Sequence, residues 1–483
     1  MLAHHALPSR DLYTFTVPNH VWTDHEYLSE VLMALLWALG GSVAISLAFG
    51  IVTWLGFYWI WQAFDGFRQP FAIGGVVIAL TALAGGPIWG PRAQMISFAL
   101  VCLQLLWIRR YLAGRSRAIL WLPLLMILWA NLHSGWAVAF VILGVVLVAE
   151  AAMWVWTRQP AHAQHFRRLG LVTLLSAVAV AATPHGLALY TYPFATQFST
   201  AQQSLIAEWM SPDFHLRSLQ PLLAFVLVVI IAFAWRRPSL TDMLLTVVLL
   251  GLALHAVRQT TIFLAVAAPP LALSLFSVWR EEVRPRVAGL VSARDRPQPI
   301  ALSALTGVVL LIVLAATAVK ITDGLRNESK AIAGDFPVAA SDWIAAHPDL
   351  VGTRMYNQYG WGGYLIYRFH SDSNPSRKVF IFGEALLMGD PLLYTYQDVQ
   401  TLRPSWEKVL DEYGVDYIVY NRGEALDNVL RTQHGWRLVY EDKIAVIYVR
   451  VGSVTNTAEP GSLNAGAPSS AGGASESAAV HST

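Results

Sequence analysis

The feature that most constrains this chain is a series of apolar segments that match, or nearly match, the thickness of a lipid bilayer. About 20 apolar residues in a helix span a hydrocarbon core roughly 30 Å thick. Ten segments come near this length: residues 41–61, 71–88, 95–108, 118–132, 136–156, 170–183, 219–235, 240–257, 261–278 and 300–321. Only 13% of the residues are charged and the mean hydropathy is +0.48, which excludes an ordinary soluble protein. The sequence therefore predicts a polytopic α-helical membrane protein with about ten transmembrane helices.

Arginine placement predicts the orientation of these helices, because positively charged residues are retained in cytoplasmic loops. Alternate loops are rich in arginine: Arg68, Arg109, Arg110, Arg115, Arg117, Arg158, Arg167, Arg168, Arg236, Arg237, Arg280, Arg284, Arg286, Arg294 and Arg296. The remaining loops carry only Arg92, Arg217 and Arg258. This alternation fits ten helices, and it predicts that residues 8–30, residues 185–218 and everything after residue 321 are extracytoplasmic.

Residues 1–40 are interpreted as an outer loop followed by an interfacial helix, and residues 41–321 as the transmembrane bundle. The apolar stretch 28–39 is too short to span a bilayer, which favours a position at the interface. An outer N-terminal loop must be translocated, yet residues 1–10 contain no apolar signal sequence. We therefore expect a further transmembrane helix upstream of Met1, lost through a misassigned start codon or in a natural variant.

The composition changes after the last apolar segment, and residues 331–451 predict an extracytoplasmic α/β domain. Helices are predicted over 336–349 and 405–414, strands over 353–359, 377–383 and 415–421, and a hairpin over 436–450. The phrases NQYGWGGYLIY and FGEALLMGD indicate either a close backbone approach to a ligand or a turn and core. Residues 453–483 are rich in Ala, Gly, Ser and Thr and predict a disordered tail.

Residues 8–30 form a polar, aromatic and acidic segment at the edge of the predicted membrane region. It contains Asp11, Asp24, His25 and Glu26. A carboxylate that works at the membrane surface is expected to come from this segment. The alternative is that these acids are solvated, or that they pair with His20 and His25.

Several short motifs, in this order, carry a resemblance to a known family. The chain has an acidic first outer loop (DLYTFT, then WTDHEYLSE), short helices with a WANLHSGW turn, an outer loop that ends in EWMSPDF, and the α/β domain. It resembles the GT-C superfamily of integral membrane glycosyltransferases, especially the bacterial mannosyl- and aminoarabinose-transferase group. It departs from that pattern in lacking the first helix and the acidic motif that usually follows it.

The resemblance implies transfer of a sugar from a polyprenyl-phosphate carrier to an acceptor at the outer face of the bacterial inner membrane. Asp24 and Glu26 of WTDHEY, or Asp11 of SRDLY, then inherit the role of catalytic base. Such a reaction also needs a cation that holds the phosphate. Arg258 is the first candidate because it is one of few arginines on the outer side, and Arg92 is the second. For Arg258 the alternative is a snorkelling membrane anchor.

Further candidates for substrate binding are His25, His133 of the WANLHSGW turn and Glu208 of the EWMSPDF loop. The alternatives are that His133 satisfies backbone groups of a polar turn and that Glu208 is an exposed loop acid. No ligand spacing supports a metal site, so no cofactor is expected, although a divalent cation on Asp24, Glu26 and Glu208 is conceivable. The single cysteine, Cys102, excludes an internal disulfide and a cysteine metal site.

Three classes of function remain open at this point. The first is a glycosyltransferase whose partners are membrane lipid and a polyprenyl-phosphate-linked sugar. The second is a lipid or sugar transporter, for which Glu150 and Asp242 are the acids within or beside apolar segments. The third is a non-catalytic subunit or scaffold of a membrane complex with partner subunits. The net charge of +2 is too small to indicate nucleic acid.

Overall fold

The computed structural model of the protein describes residues 6–288, 322–324, 326–370 and 377–452. The first of these ranges is helical through most of its length. Its helices are α1 (Tyr27–Ala63), α2 (Phe71–Ala84), α3 (Gln94–Leu112), α4 (Leu122–Leu132), α5 (Trp136–Thr157), α6 (Pro160–Val180), α7 (Thr191–Phe198), α8 (Thr200–Leu205), α9 (Gln220–Trp235), α10 (Leu240–His255), α11 (Thr260–Val278) and α12 (Arg284–Ala288). The predicted segment 300–321 and the predicted tail 453–483 lie outside the described residues.

Nine of the ten predicted apolar segments contain a helix of the structure. Within the described residues, five helical stretches are long and apolar enough to cross a membrane: Tyr27–Ala63, Gln94–Leu112, Trp136–Thr157, Arg217–Trp235 and Val257–Arg286. Three more apolar helices are shorter: Phe71–Ala84, Ala118–Leu132 and Leu240–His255. The chain is thus a polytopic helical protein by length and composition, while the count of ten spanning helices stays a prediction.

The outer surface of the bundle is apolar, as a lipid-facing surface requires. Large side chains that point away from the bundle include Leu35, Ile51, Leu174, Ile231 and Val247, each between 48% and 63% exposed. A soluble protein rarely exposes so much contiguous apolar surface. In contrast, α3 and α11 lie at the centre of the bundle. Of the residues in their most apolar stretches, 72% are buried in α3 and 83% in α11. The bundle therefore wraps two inner helices with outer helices that have apolar faces on both sides.

Helix α1 contains a sharp break at two glycines. Gly40 has φ −170° and ψ 28°, and Gly41 has φ 59° and ψ −146°. The Gly41 conformation is one that residues with a Cβ rarely adopt. The break lies at the boundary between the stretch interpreted as interfacial, 28–39, and the spanning segment 41–61.

The C-terminal part forms an α/β domain around a five-stranded mixed sheet. Its strands are β1 (Arg354–Asn357), β2 (Lys378–Val379), β3 (Tyr417–Asn421), β4 (Trp436–Glu441) and β5 (Ala445–Arg450), in the order β2-β1-β3-β5-β4. β1 is parallel to β2 and β3, whereas β5 is antiparallel to β3 and β4. Helices α13 (Glu328–Asp335), α14 (Val338–Ala346), α15 (Gly362–Phe369), α16 (Ala385–Gln400), α17 (Trp406–Glu412) and α18 (Ala425–Leu430) complete the domain. The predicted strands, the predicted hairpin and helices α14 and α17 are confirmed, whereas α13, α15, α16 and α18 were not predicted.

The N-terminal segment joins the α/β domain rather than standing free in solvent. The backbone N–H of Val379 donates to the Tyr13 carbonyl at 3.1 Å. The Thr16 hydroxyl donates to the Phe380 carbonyl at 2.7 Å, and Trp22 is buried in the domain's core. The N-terminal segment and the domain therefore lie on the same face of the helical bundle.

The loop between α6 and α9 reaches the same face. The Ser199 hydroxyl donates to the Asp390 carboxylate at 2.5 Å, and Tyr394 donates to the Thr200 hydroxyl at 3.0 Å. The three regions predicted to be extracytoplasmic are thus joined to one another. Which side of the membrane this face occupies remains a prediction from the arginine distribution.

In the GWGG phrase, Gly362 lies where two backbone segments approach each other closely. A Cβ on Gly362 would lie 2.3 Å from the Ile381 carbonyl oxygen and 2.7 Å from the Phe382 Cα. Real Cβ atoms do not come so close to backbone atoms, so helix α15 can pack here only without a side chain. This contact is internal to the domain, which favours the turn-and-core interpretation of the phrase.

Gly362→Ala is accordingly expected to destabilise the α/β domain by about 1–3 kcal/mol, the usual cost of overpacking. The measurement is the midpoint of thermal unfolding of the detergent-solubilised protein. Gly363→Ala is the matched control, because a Cβ at this next position meets no atom within 4 Å. Equal midpoints for the two variants would contradict the packing argument.

Candidate active site

A cavity of about 990 Å³ lies where the helical bundle meets the α/β domain. Its polar lining comes from distant parts of the chain: His25, Glu26, Gln94, His133, Tyr192, Glu208, Arg258 and Glu384. Much of the remaining wall is apolar and aromatic, with Trp136, Phe140, Phe194 and Ile262 among its residues. A largely apolar cavity with a few convergent polar groups is typical of a small-molecule site, and this volume is near the upper end of the usual range.

Glu26 is the acid of the N-terminal segment that faces this cavity. Its Oε2 atom lies 3.7 Å from His25 Nε2 and 4.0 Å from His133 Nε2. The pKa of Glu26 is raised to about 7, first by burial and second by the negative charge of Asp24, while Arg258 opposes the shift. A carboxyl group with a pKa near neutrality can accept and return a proton under physiological conditions.

The two imidazoles beside Glu26 are held neutral. Burial lowers the pKa of His133 to about 3, and Arg258 adds to the effect. Burial likewise lowers the pKa of His25 well below its ordinary value, with further contributions from His133, Arg258 and His185. The His25 ring stacks on Tyr192 at a centroid distance of 4.0 Å. Neither imidazole therefore neutralises Glu26 with a full positive charge near pH 7.

A chain of hydrogen bonds fixes the orientation of His133. The Trp129 Nε1–H donates to Ser97 Oγ at 2.8 Å, and the Ser97 hydroxyl donates to His133 Nδ1 at 2.8 Å. The Gly135 N–H also donates to His133 Nδ1, at 3.0 Å. Because Nδ1 accepts both bonds, the ring proton resides on Nε2, the atom that faces Glu26.

Asp24 lies behind Glu26 rather than on the cavity wall. It is 1% exposed, and its Oδ1 accepts the Glu26 N–H at 3.3 Å. Its Oδ2 atom is buried and has no hydrogen-bond partner among the described residues. Burial raises the pKa of Asp24, against the lowering effect of the bond from Glu26. The structure thus gives Asp24 contact with the backbone of Glu26 rather than with the cavity.

The structure does not bring Asp11 to the cavity. Its carboxylate accepts hydrogen bonds from the Tyr13 N–H at 3.0 Å, the Thr14 N–H at 3.2 Å and the Thr14 hydroxyl at 2.5 Å. An aspartate that bonds the backbone two and three residues onward is a common turn former. Asp11 therefore shapes the segment that pairs with Val379.

Arg258 lies on the cavity wall just before α11. Its guanidinium carbon is 4.3 Å from the centre of the Trp209 ring, and its carbonyl accepts the Gln94 side-chain N–H at 2.5 Å. No carboxylate of the described residues lies within 4.0 Å of the guanidinium. Arg258 is thus positioned by a cation–π contact and keeps its donors for another partner.

Arg92, the second predicted cation, is already paired. Its Nη1 lies 2.5 Å from the Glu208 Oε1, and both side chains are partly exposed at the rim of the cavity. Glu208 lines the cavity, whereas Arg92 does not appear on its wall. Arg258 is therefore better placed than Arg92 to meet an anion inside.

Glu384 of the α/β domain is a site residue that the sequence analysis missed. Burial raises the pKa of its carboxyl group to about 8, and Glu26, Glu30 and Asp24 contribute in that order. Its phrase, FGEALLMGD, drew attention, but nothing in its spacing linked an acid of the domain to the N-terminal segment. Tyr192 was missed for the same reason.

The predicted carboxylates do not converge as metal ligands. In the part of the chain that the structure describes, one group of three His, Cys, Asp or Glu residues has its ligand atoms within 4.8 Å of one another, and it consists of Glu150, His162 and His165. Asp24, Glu26 and Glu208 do not form such a group. The cavity therefore offers a carboxylate and a guanidinium rather than a preformed cation site.

Taken together, the fold is that of a polytopic helical protein whose bundle carries an α/β domain over a cavity. No family model matches the chain, and no curated protein matches its sequence. Among solved structures, the chain is similar to ArnT from Cupriavidus metallidurans, crystallised with undecaprenyl phosphate. The identity is 15% and the TM-score 0.47, over 93% of this chain and 92% of that one. A likeness at this level says nothing about chemistry.

Proposed function

We propose that the chain is a membrane glycosyltransferase of the GT-C type, which transfers a sugar from a polyprenyl-phosphate carrier to an extracytoplasmic acceptor. One observation carries the proposal: Glu26 and Arg258 line the same cavity at the junction of bundle and domain. A proton acceptor with a pKa of about 7 and a guanidinium that no carboxylate of the described residues pairs with are the two groups that this displacement needs.

The reaction is a single displacement at the anomeric carbon of the sugar. The acceptor hydroxyl oxygen forms a bond to that carbon, and its proton passes to the Glu26 carboxylate. The bond from the carbon to the phosphate oxygen breaks, and its electron pair stays on the polyprenyl phosphate. Arg258 stabilises the charge of this leaving group. The neutral His25 and His133 rings leave the Glu26 carboxylate uncompensated and therefore basic.

The apolar wall supplies a place for the carrier's hydrocarbon chain. Phe140 and Val141 of α5, Leu252 of α10 and Ile262 of α11 line the same cavity as the polar residues. Burial of isoprenoid methylene groups on such a surface contributes roughly 0.8 kcal/mol per CH₂. In this proposal the apolar wall holds the isoprenoid chain and Arg258 binds the phosphate head group.

Undecaprenyl phosphate is the sharpest probe of this proposal, because it is the common product whatever the sugar. The purified full chain should be stabilised against thermal unfolding by undecaprenyl phosphate, and it should release that lipid from polyprenyl-phosphate mannose or aminoarabinose when an acceptor is present. Movement of the intact lipid across a vesicle membrane without loss of sugar would favour a transporter. If the lipid does not stabilise the protein and no sugar is released, the scaffold interpretation is the one that remains.

Gly135 is a further test of the site, because a side chain there would collide with the His133 network. A Cβ would lie 2.3 Å from Ser97 Oγ and 2.7 Å from His133 Nδ1. Gly135→Ala should displace the His133 ring and lower turnover by roughly 10²-fold, the usual effect of a misplacement of about 1 Å. Gly144→Ala on the same helix is the control, since its Cβ meets nothing within 4 Å. Wild-type turnover in Gly135→Ala would separate His133 from the mechanism.

The membrane orientation is testable by cysteine labelling, and the native Cys102 is buried and gives little background. A cysteine at Lys408, an exposed position of α17, is expected to react with an impermeant maleimide added outside intact cells. A cysteine at Arg115, also exposed, is expected to be protected until the cells are opened. The reverse labelling pattern would place the α/β domain in the cytoplasm and overturn the proposed acceptor side.

A further inference from the structure

Three side chains with metal-ligating atoms meet between α5 and α6, far from the cavity. Glu150 belongs to α5, whereas His162 and His165 are three positions apart near the start of α6 and share a face. Glu150 Oε2 lies 2.9 Å from His162 Nδ1 and 3.0 Å from His165 Nδ1. Counted from Val141, the α5 residue on the cavity wall that lies furthest along the helix, Glu150 is about 14 Å away at about 1.5 Å per residue. The cluster is therefore separate from the proposed active site.

The spacing of these atoms is that of a tetrahedral zinc site with three protein ligands. Bonds of about 2.0–2.2 Å to nitrogen and oxygen place neighbouring ligand atoms about 3.4 Å apart. The three ligand atoms lie within 4.8 Å of one another, and two of the separations are close to 3 Å. Widening the two glutamate–histidine separations by about half an ångström would bring them to the spacing at which one cation replaces the two hydrogen bonds.

The electrostatics of the cluster favour a cation. The Glu150 side chain is 5% exposed, and no arginine or lysine of the described residues lies within 4.0 Å of it. Two arginines at the nearby end of α3 are engaged elsewhere, Arg109 with Asp242 and Arg110 with Gln62. A buried carboxylate is costly unless a positive charge compensates it, and a divalent cation bound by Glu150 would supply that charge.

Tyr111 offers a second observation at the same place. Its ring lies 5.3 Å from the His165 ring, and its hydroxyl is buried with no hydrogen-bond partner among the described residues. A zinc ion with three protein ligands keeps a fourth position for water. Such a water would be a hydrogen-bond partner of the kind that the Tyr111 hydroxyl lacks among the described residues.

We propose that Glu150, His162 and His165 bind one divalent transition-metal ion, with zinc as the preferred ion. The metal joins α5 to α6 at the end of the bundle opposite the cavity, on the side predicted to be cytoplasmic. The ligands were not recognised in the sequence because HAQH, residues 162–165, supplies only two of them and the third lies on the preceding helix.

Metal titration of the purified full chain tests this proposal without any activity assay. After treatment with a chelator, the protein is expected to bind one Zn²⁺, and to bind Co²⁺ with the intense visible bands of a tetrahedral site. Glu150→Gln, His162→Gln and His165→Gln should each weaken binding by at least about 10²-fold, since even loss of an outer-shell partner costs 10- to 100-fold.

His215→Gln is the matched control, because His215 is fully exposed and bonds Asp213 at 2.9 Å in a similar carboxylate–histidine pair. It should bind metal like the wild type. His162→Cys keeps a ligand and should retain the metal while adding a thiolate-to-cobalt absorption band, which distinguishes ligand loss from misfolding. Equal affinity in the wild type and Glu150→Gln, or no binding of either ion by a folded wild type, would overturn the proposal.

Discussion

Replacement of Glu26 by glutamine is expected to lower transferase turnover by roughly 10² to 10⁴-fold, the usual contribution of a general base. Glutamine keeps the shape of the side chain but cannot accept the acceptor's proton. Donor affinity should change much less, because the phosphate is assigned to Arg258. The measurement is steady-state kinetics with polyprenyl-phosphate-linked sugar, together with thermal stabilisation by undecaprenyl phosphate.

Glu407→Gln is the matched control, since Glu407 is an exposed acid of α17 that does not line the cavity. Asp11→Asn should affect folding of the N-terminal segment rather than turnover of the folded protein, because its carboxylate is used within its own turn. If Glu26→Gln retains wild-type turnover, the base has to be sought elsewhere, and Glu384 is another carboxyl group on the cavity wall.

The pH dependence of turnover gives an independent check on Glu26. Since the base is active when deprotonated, and since its pKa is raised to about 7, the rate should rise with pH through this value. Asp24→Asn removes the neighbouring charge that contributes to the raised pKa but keeps an amide oxygen that can accept the Glu26 N–H. The rising limb should therefore move to lower pH. An unchanged limb would mean that the titrating group is not Glu26.

Much of the helical architecture could be predicted because a bilayer demands long uninterrupted apolar segments. An apolar segment as long as residues 136–156 has few possible structures other than a membrane-spanning helix, and α5 occupies this stretch. The helices missed in the α/β domain carry misleading signals. Helix α16 contains Gly389 with φ 76° and Pro391, two residues that indicate a turn in sequence. Helix α15 begins within GWGG, and its packing against residues 381–382 explains why Gly362 is a glycine.

Candidate site residues could be predicted where they lie together in one segment of the sequence. They could not be predicted as a group where they come from several distant segments. The acids of residues 8–30 stood out, but choosing Glu26 over Asp11 required knowing which one faces the cavity. The structure brings His25, His133, Glu208 and Arg258 to that cavity with Glu26, while their roles stay predictions. Their meeting depends on packing between regions that lie from 50 to more than 200 residues apart in the sequence, which no local pattern records.

The second large effect is expected at Arg258. Arg258→Ala should lower kcat/KM for the lipid-linked donor by roughly 10² to 10³-fold, the range found when one donor to a developing anion is removed. Arg258→Lys should lie between alanine and wild type. Lysine keeps a positive charge, but it cannot bind a phosphate bidentately and stacks less well over Trp209, which the guanidinium contacts at 4.3 Å.

Arg217→Ala is the control for Arg258, because Arg217 is an exposed arginine on the same face of the bundle. A snorkelling anchor needs only charge and length, so it would let Arg258→Lys behave like the wild type in donor affinity and membrane insertion. If Arg258 is instead a phosphate ligand, both Arg258 variants should insert normally. Stabilisation by undecaprenyl phosphate should be weaker in Arg258→Lys than in the wild type and weakest in Arg258→Ala, and Arg217→Ala should behave like the wild type. Because the guanidinium has no carboxylate partner among the described residues, the loss should reflect a missing ligand contact rather than a broken internal ion pair.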